Sequence, residues 1–568
     1  MTIQSTRNAQ ASTSSGELTP SGRFKDDEMH AYVEITEFLI AAPKPRITVA
    51  PRRSLSTGAN KHLTLPMRKS LFAHVPPFII FRNSATADRL PPAITKHLLW
   101  WRAKKSFPRI ISSTIMKSGF RTTTKHSSNW CGTWCDSRHV RSQLRHTQVF
   151  SKVNLFPSSV QFGDKMLLWK NFHRMRRKHG GKHFDFMPWT FILPEERDYL
   201  RKYIQRNGGI WILKPPCSCA GNGIKLVSRF YEVPNGRPLI AQRYIAKPRL
   251  IDGVKFDIRL YVLLTSIDPL RIYVYNDGLV RLATVKYVDH VDTLSNKFMH
   301  LTNTSVNKRN PSFEPNDDPT KCRGNMWSLG CLWEYLSSVE DVDPIGIWTK
   351  IKDIAVKTVI STEPFLVDSW RKRSMSTYNY YQLFGFDILL DQQCRPWLLE
   401  VNTFPSMQPD TPLCRIVKCQ LAKDYLNLVG FHVPNVLTGM ELRTLRRNYK
   451  EDTVCYNQQL YSSSLTWADR RKQCAFSKVT RREYLKPILK NLTPGDVRVL
   501  IRYEDEIART GRFEKIFPTC ETHRYLEFFD EVRYYDLLLD AWENEYGESR
   551  SRGVERLRRL CKKKVHLT

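Results

Sequence analysis

KFDIRLYVLLTSIDPLRIYVYNDGLVRLAT, from Lys255 to Thr284, is the stretch that decides the fold. Side chains alternate along a strand, so Phe256, Ile258 and Leu260 take one face while Lys255, Asp257 and Arg259 take the other. Strands are expected over Phe256–Leu264, Arg271–Tyr275 and Leu279–Thr284. Asn276-Asp277-Gly278 reads as the hairpin turn between the last two, because these residues suit tight reversals. Three ionisable groups in a row on a strand whose other face fits a core are costly without partners. Two readings stay open: an intramolecular salt-bridge ladder, or a cationic site with its own carboxylate, suited to phosphate and developing negative charge.

Flanking segments bear on that choice. Upstream, LKPPCSCAGNGI (Leu213–Ile224) places Lys214 at a strand end before a loop holding Gly221 and Gly223. Glycines let backbone N–H groups approach phosphate oxygens, although no Walker sequence follows. Downstream, MHLTNTSVNK (Met299–Lys308) offers hydroxyl and amide groups at Thr302, Asn303 and Ser305 without hydrophobic periodicity. FGFDILL and PWLLEVN then put Asp387 on one strand and Glu400 with Asn402 on the next, across a short polar turn (Asp391–Arg395). Two carboxylates and an amide form an oxygen-only set suited to a hard cation such as Mg2+.

Length and composition set the bounds. A chain of 568 residues exceeds one ordinary domain, so about two or three are expected. Its net charge of +34 favours an acidic partner: nucleic acid, an anionic membrane surface or an acidic protein tail. Residues 51–150 hold 18 Lys or Arg against only Asp88 and Asp136, interleaved with Trp100, Trp101, Trp130 and Trp134. That mixture fits single-stranded nucleic acid, but core tryptophans beneath a basic face are the stronger reading. No run approaches the roughly 20 apolar residues of a membrane span, and the N-terminus lacks a signal-peptide core; an intracellular protein is expected. The 13 cysteines show no zinc-finger spacing, and Cys131/Cys135 and Cys217/Cys219 are read as ordinary thiols.

Residues 1–68 are read as a disordered tail, with order beginning near Leu71 and a short strand at Val75–Phe81. Further strands are expected at Ile210–Lys214, Leu239–Tyr244, Phe386–Leu390 and Trp397–Asn402. Helices are expected near Lys165–Lys178, Met326–Val339, Trp348–Ser361 and Val417–Val429. Tyr525, Phe529, Val532, Tyr535, Leu539 and Trp542 recur at helical spacing, before the basic RGVERLRRLCKKK. That basic end is read equally as a solvated helix end or a docking surface.

The order and wording of these segments resemble the ATP-grasp core of the tubulin tyrosine ligase-like family. The resemblance is dense from about Lys152 to Pro434 and looser from Leu71 to near the C-terminus. LFAHVPP, VNLFPSSVQFGDK, WILKPP, the KFDIR stretch, NKFMHLTNTSVNK, QLFGFDI, LLEVNTFPS and the later GRFEKIFPT look most like the glutamylating branch, particularly its fourth member type. The resemblance implies an α+β or α/β fold with an ATP-grasp-like catalytic domain over 69–435, whose N-terminal basic α/β subdomain spans about 69–160. A helical, basic extension would follow over 436–568. It implies ATP and Mg2+ as cofactors. Lys165, Lys214, Gly221, Gly223, Ile224, Lys255, Asp257, Thr302 and Asn303 match nucleotide contacts, and Gln242, Arg243, Tyr244 and Ile245 match the hinge that receives adenine. Asp387, Glu400 and Asn402 match magnesium ligands, and Arg259 matches the catalytic arginine. Arg281, Thr304, Ser305 and Lys418 match positions for the incoming amino acid.

The implied activity is addition of free L-glutamate to the acidic C-terminal tails of tubulin or microtubules, with neither membrane nor nucleic acid as partner. The implied location is the cytoplasm and microtubule cytoskeleton, with cilium or basal body included. A glycine ligase of the same family and a catalytically weak tubulin-binding member are the alternatives. The chain departs from the family pattern at Ala220, Thr304, Met326, Met166 and Ser158, with the magnesium set and KFDIR intact.

Overall fold

The computed structural model describes residues 67–83, 99–103, 107–124, 129–134, 147–218, 220–372, 376–449 and 453–568. Nearly all of the expected tail, together with Cys135 and Cys219, lies outside them. Short strands open the chain: β1 (Met67–Arg68) pairs with β2 (Phe78–Ile79). Only these two residues of Val75–Phe81 form a strand, since Pro76 and Pro77 carry no N–H for a ladder. β3 (Trp100–Arg102), β4 (Arg121–Thr123), β5 (Gly132–Thr133) and β6 (Lys152–Val153) form a parallel sheet. Helix α1 (Arg109–Lys117) buries Ile110, Ile111 and Ile115 beside it. Trp101 and Trp130 are fully buried, so these tryptophans serve the core.

Next come α2 (Lys165–His179), β7 (Thr190–Leu193), α3 (Arg197–Asn207), β8 (Trp211–Lys214), β9 (Lys225–Val227) and β10 (Leu239–Arg243). The four strands make a small antiparallel sheet in the order β7-β10-β8-β9, with α3 packed on it through Leu200 and Ile204.

The central sheet holds β11 (Leu250–Ile251), β12 (Val254–Ile267), β13 (Leu270–Leu282), β14 (Met326–Ser328), β15 (Gln382–Leu390), β16 (Pro396–Asn402) and β17 (Phe513–Phe517). Its path is β14-β13-β12-β15-β16, with β11 on β12 and β17 on β13. Helices α4 (Leu329–Ser338), α5 (Pro344–Arg371) and α6 (Pro412–Val429) accompany it. Phe256, Ile258 and Leu260 pack in the cluster that includes the apolar residues of α5. The opposite face changes along β12: Lys255, Asp257 and Arg259 give way to Tyr261 and Leu263, which share a cluster with Leu421 and Tyr425 of α6. Cover by α6 thus marks where the charged row ends.

Three expectations are corrected. Asn276-Asp277-Gly278 is no hairpin turn; it lies inside β13, and the reversal falls at Asp268-Pro269. The register runs Leu260 to Gly278 but Val262 to Val274, so the tripeptide is a bulge. Asp277 accepts from the N–H groups of Gly278 and Leu329, and a Cβ on Gly278 would stand 2.6 Å from the Arg259 carbonyl. Pairing with β17 before the bulge and with β14 after it overrides local turn preference. Met326–Ser328, expected to begin a helix, is that strand β14, and helix starts at Leu329 behind the Ser328 cap.

The third concerns the end of the chain, which is not wholly helical because β17 joins the central sheet. The periodic stretch from Tyr525 also breaks, into a 3-10 turn at Thr522–Phe528 and helix α8 (Tyr534–Tyr546). Asp536 accepts from the N–H groups of Arg533 and Leu270, tying the start of α8 to the β12–β13 turn. Helices α7 (Pro494–Ile507), α8 and α9 (Arg550–Lys562) share one core with Phe72, Phe150 and Tyr378. Arg556 binds the Tyr546 hydroxyl (3.0 Å) and the Leu489 carbonyl, while Arg559, Lys562 and Lys563 face solvent. No helix among the described residues is long and apolar enough to cross a membrane.

Candidate active site

Strand register builds a row of charges across four neighbouring strands. Arg281 of β13 stands opposite Asp257 of β12, Arg259 of β12 opposite Asp387 of β15, and Asp387 opposite Glu400 of β16. Arg281 donates to Asp257 through Nε at 2.8 Å and reaches Asp387 at 2.9 Å. Arg259 grips Asp387 with Nε and, at 3.0 Å, with a terminal nitrogen. Burial would raise the Asp387 carboxyl, but the two guanidiniums override it and hold the group well below the usual carboxylate range. Burial likewise opposes the charge on Arg281, and Asp257 with Asp387 restores it. The salt-bridge ladder is present, and its carboxylates Asp257 and Asp387 line a cleft.

A cleft opens between this row and the small sheet, lined by Ile212 and Lys214 on one side and Asp257, Asp387, Leu389 and Glu400 on the other. The β15–β16 register slips between Asp387 and Ile388, giving β16 one extra residue. Leu399 and Glu400 consequently both line the cleft despite being adjacent. Asn402 stands opposite Gly385, and its amide nitrogen donates to Glu400 at 3.3 Å. A Cβ on Gly385 would lie 3.2 Å from Cδ of Arg259, so glycine there gives the arginine room to lie across β15.

Three lysines converge on the cleft. Lys165, the first residue of α2, donates to the Ser218 carbonyl (2.9 Å) and lies 3.3 Å from Glu400. Its helix begins on the Asp164 cap, which accepts from Met166 and Leu167, so Met166 contributes its backbone here. Lys214 donates to Gln242 at 2.7 Å. Burial lowers it to about 8, with Glu400 opposing and Lys165 assisting that fall. Lys255 donates to the Tyr244 hydroxyl and the His300 carbonyl, each at 2.9 Å. Burial lowers it to about 7, against the attraction of Asp257.

The Lys214–Ile224 loop curls over the cleft in left-handed backbone, with φ of 61° at Ala220, 78° at Gly221 and 70° at Gly223. Ser305 pins it by donating to the Ala220 carbonyl (3.1 Å), and a Cβ on Gly221 would press on Val306 at 3.0 Å and Asn303 at 3.2 Å. Thr302 and Asn303 line the cleft beside Ile224, and Thr304 opens the short helical turn Thr304–Asn307. Ser158 is also left-handed, buried against Ser369. Met326 is buried on β14 opposite Arg281.

Several singled-out residues stand off the cleft wall. Gln242 binds Lys214 and Thr190, and Arg243 turns back to the Gly208 carbonyl and the Trp211 ring. Tyr244 is buried on Lys255 and His300, and Ile245 follows it half-buried. Lys418, on α6, donates to the Gln408 carbonyl (2.9 Å) and reaches Asp410 at 3.3 Å. Lys308 donates to the carbonyl of that same Asp410, which links Lys418 to the turn after Thr304.

The reading of the sequence missed Ile212, His300, Leu389 and Leu399 as cleft residues. Ile212 and Leu389 were reachable by period two from Lys214 and Asp387. Leu399 was not, because its exposure depends on the slipped register. His300 bonds Tyr244 through Nδ1 and the Thr293 carbonyl through Nε2, each at 3.0 Å.

The signature of the tubulin-tyrosine ligase family matches residues 142–438, which include every cleft residue named above. The chain is 40% identical over 507 residues to the tubulin monoglutamylase TTLL4 of Mus musculus, covering 88% of this chain and 42% of that protein. The human protein of the same name gives 40% over 504 residues with the same coverage. The tubulin polyglutamylase ttll-4 of Caenorhabditis elegans is 36% identical over 525 residues, 91% of this chain and 84% of that protein. The chain therefore spans less than half the length of its mammalian relatives.

Proposed function

This chain belongs to the tubulin-tyrosine ligase family, and from that premise we propose that it is an ATP- and Mg2+-dependent glutamate ligase acting on tubulin. The reading rests above all on one observation: a register-locked row of paired arginines and carboxylates borders a cleft on which three lysines converge under a glycine loop. That is an ATP-grasp-like arrangement, with phosphate donors opposite an oxygen-only metal set.

Lys165, Lys214 and Lys255 receive the ATP phosphates, and the Gly221–Ile224 loop covers them with backbone N–H groups. Asp257, Thr302 and Asn303 complete the nucleotide site, and the Gln242–Ile245 segment backs the base. Asp387, Glu400 and Asn402 suit a hard cation: all donate oxygen, and pairing of β15 with β16 makes them neighbours. Bound there, Mg2+ would neutralise charge on the transferring phosphoryl group. An acceptor glutamate carboxylate takes the γ-phosphoryl group, and the amine of free glutamate then displaces phosphate from the acyl carbon. Arg259, paired with Asp387, would hold the oxyanion that develops there. Arg281, Thr304, Ser305 and Lys418 receive the incoming amino acid.

The names of the relatives favour glutamate over glycine, and the net charge of +34 favours the acidic tubulin tail as acceptor. Such an enzyme works in the cytoplasm on microtubules, the cilium or basal body among them. The test is incubation of purified protein with tubulin, ATP, Mg2+ and labelled glutamate or glycine, followed by mass spectrometry of the tails. Glutamate should be incorporated by the wild type and lost in a folded Glu400→Gln variant. Transfer of glycine alone would overturn the substrate, and full activity of Glu400→Gln would remove the metal assignment.

A further inference from the structure

A second polar cavity lies at the opposite end of β12. Lys255, at one end of this strand, lines the catalytic cleft, while Asp268, just past the other end, lines the second cavity. At about 3.3 Å per residue the two are up to about 40 Å apart. α7, the N-terminal end of α8, the segment Ser462–Leu465 and the end of α5 enclose it. Among the described residues four arginines line it, and three meet carboxylates: Arg371 meets Glu531 at 3.0 Å, Arg533 meets Asp268 at 3.5 Å, and Arg498 meets Asp469 at 3.8 Å.

Arg502 differs. It donates from Nε to the Arg498 carbonyl at 3.0 Å and from Nη1 to the Thr377 hydroxyl, and it lies over the Tyr461 ring. Among the described residues no carboxylate pairs with it and no acceptor meets Nη2. Desolvation first, then the charges of Arg271 and Arg498, press its pKa down to about 10, so the cation is held against its surroundings. A guanidinium kept this way has charge and donors to spare. The hydroxyls of Ser462, Ser463 and Ser464 border the same cavity and can donate as well.

We propose that this cavity binds the phosphate group of a small ligand, with the unengaged Nη2 of Arg502 as its main anchor and the Ser462–Ser464 segment as its second wall. Planar guanidinium donors with several hydroxyls match a tetrahedral oxyanion that offers many acceptor oxygens. The proposal does not rest on the ligase reading, since the cavity shares no residue with the catalytic cleft.

The test titrates the full chain with inorganic phosphate at constant pH and ionic strength, reading thermal stability and equilibrium binding. Sodium acetate and O-phospho-L-serine serve as parallel ligands. Wild type and Lys214→Met should both show saturable binding, the second because its lesion lies in the distant cleft. Arg502→Gln should bind at least tenfold more weakly without losing its fold, because it removes an unpaired cation. Should it fail to fold, Arg502→Lys keeps the charge without the fork and should bind several-fold more weakly. Phosphoserine binding as tightly as phosphate would assign the site to monoesters, and phosphate binding alone would assign it to the free ion; either supports the proposal. Absence of saturable binding, full binding by both Arg502 variants, loss only in Lys214→Met, or equal binding of acetate would overturn it.

Discussion

Asp257 and Asp387 stand between Arg259 and Arg281, each carboxylate touching a guanidinium. A few residues away, Lys214 reaches the neutral Gln242, and Lys255 reaches a phenol and a carbonyl. Both corners are buried, and both descend from alternation on strands. In the first, charge is matched inside the protein, so Asp387, Arg259 and Arg281 stay ionised. In the second it is unmatched, and burial drives the lysines toward the neutral form. The matched corner keeps its charges before any ligand binds. The unmatched corner is unfinished until an anion enters, which is what a nucleotide site needs.

Removing the shared carboxylate should break this contrast most severely. Asp387→Ala leaves the buried Arg259 with no carboxylate and Arg281 with Asp257 alone, and denaturant unfolding should show a loss of about 3–5 kcal/mol. A loss near zero would mean that the ladder is solvated and that its pairing holds nothing. Arg259→Lys keeps the charge but loses the fork. Nucleotide-analogue affinity should persist while single-turnover glutamate transfer falls by about 10²–10³-fold, the usual cost of one oxyanion donor. Parallel loss of both would move Arg259 into nucleotide binding.

The unmatched corner predicts a pH response. A lysine whose pKa falls on folding binds fewer protons folded than unfolded, so its contribution to stability rises as pH climbs from about 7 or 8 toward 10.5. Anion affinity must run the other way: an ATP analogue should bind more weakly as pH rises through this window, by up to about tenfold per unit for each lysine that must be charged. A flat profile would show that both lysines stay protonated without ligand. The smallest effect belongs to the roof. Gly221→Ala forces a side chain into left-handed backbone and against Val306, and should cost about 1–2 kcal/mol. Calorimetry should register it as weaker nucleotide binding with little change in the pH profile.

The alternation of KFDIR and of LLEVN placed Lys255, Asp257 and Arg259 on one face and Glu400 with Asn402 on another, because side-chain direction along a strand is local. The ends of β8, β10, β15 and β16 were legible within a few residues for the same reason. Which charge meets which was not legible. That Arg281 answers Asp257, and that Leu399 shares the cleft with Glu400, follows from register and from slips in it, and register is set between strands distant in sequence. Asn276-Asp277-Gly278 carries a strong local turn preference, yet β14 and β17, from elsewhere in the chain, keep β13 running through it as a bulge. The spacing from Tyr525 to Trp542 fits one helix, yet Asp536 fixes its start at the β12–β13 turn. The sequence alone determined which residue types share a face; partnership and interruption were decided by tertiary structure, because both depend on neighbours that no local window contains.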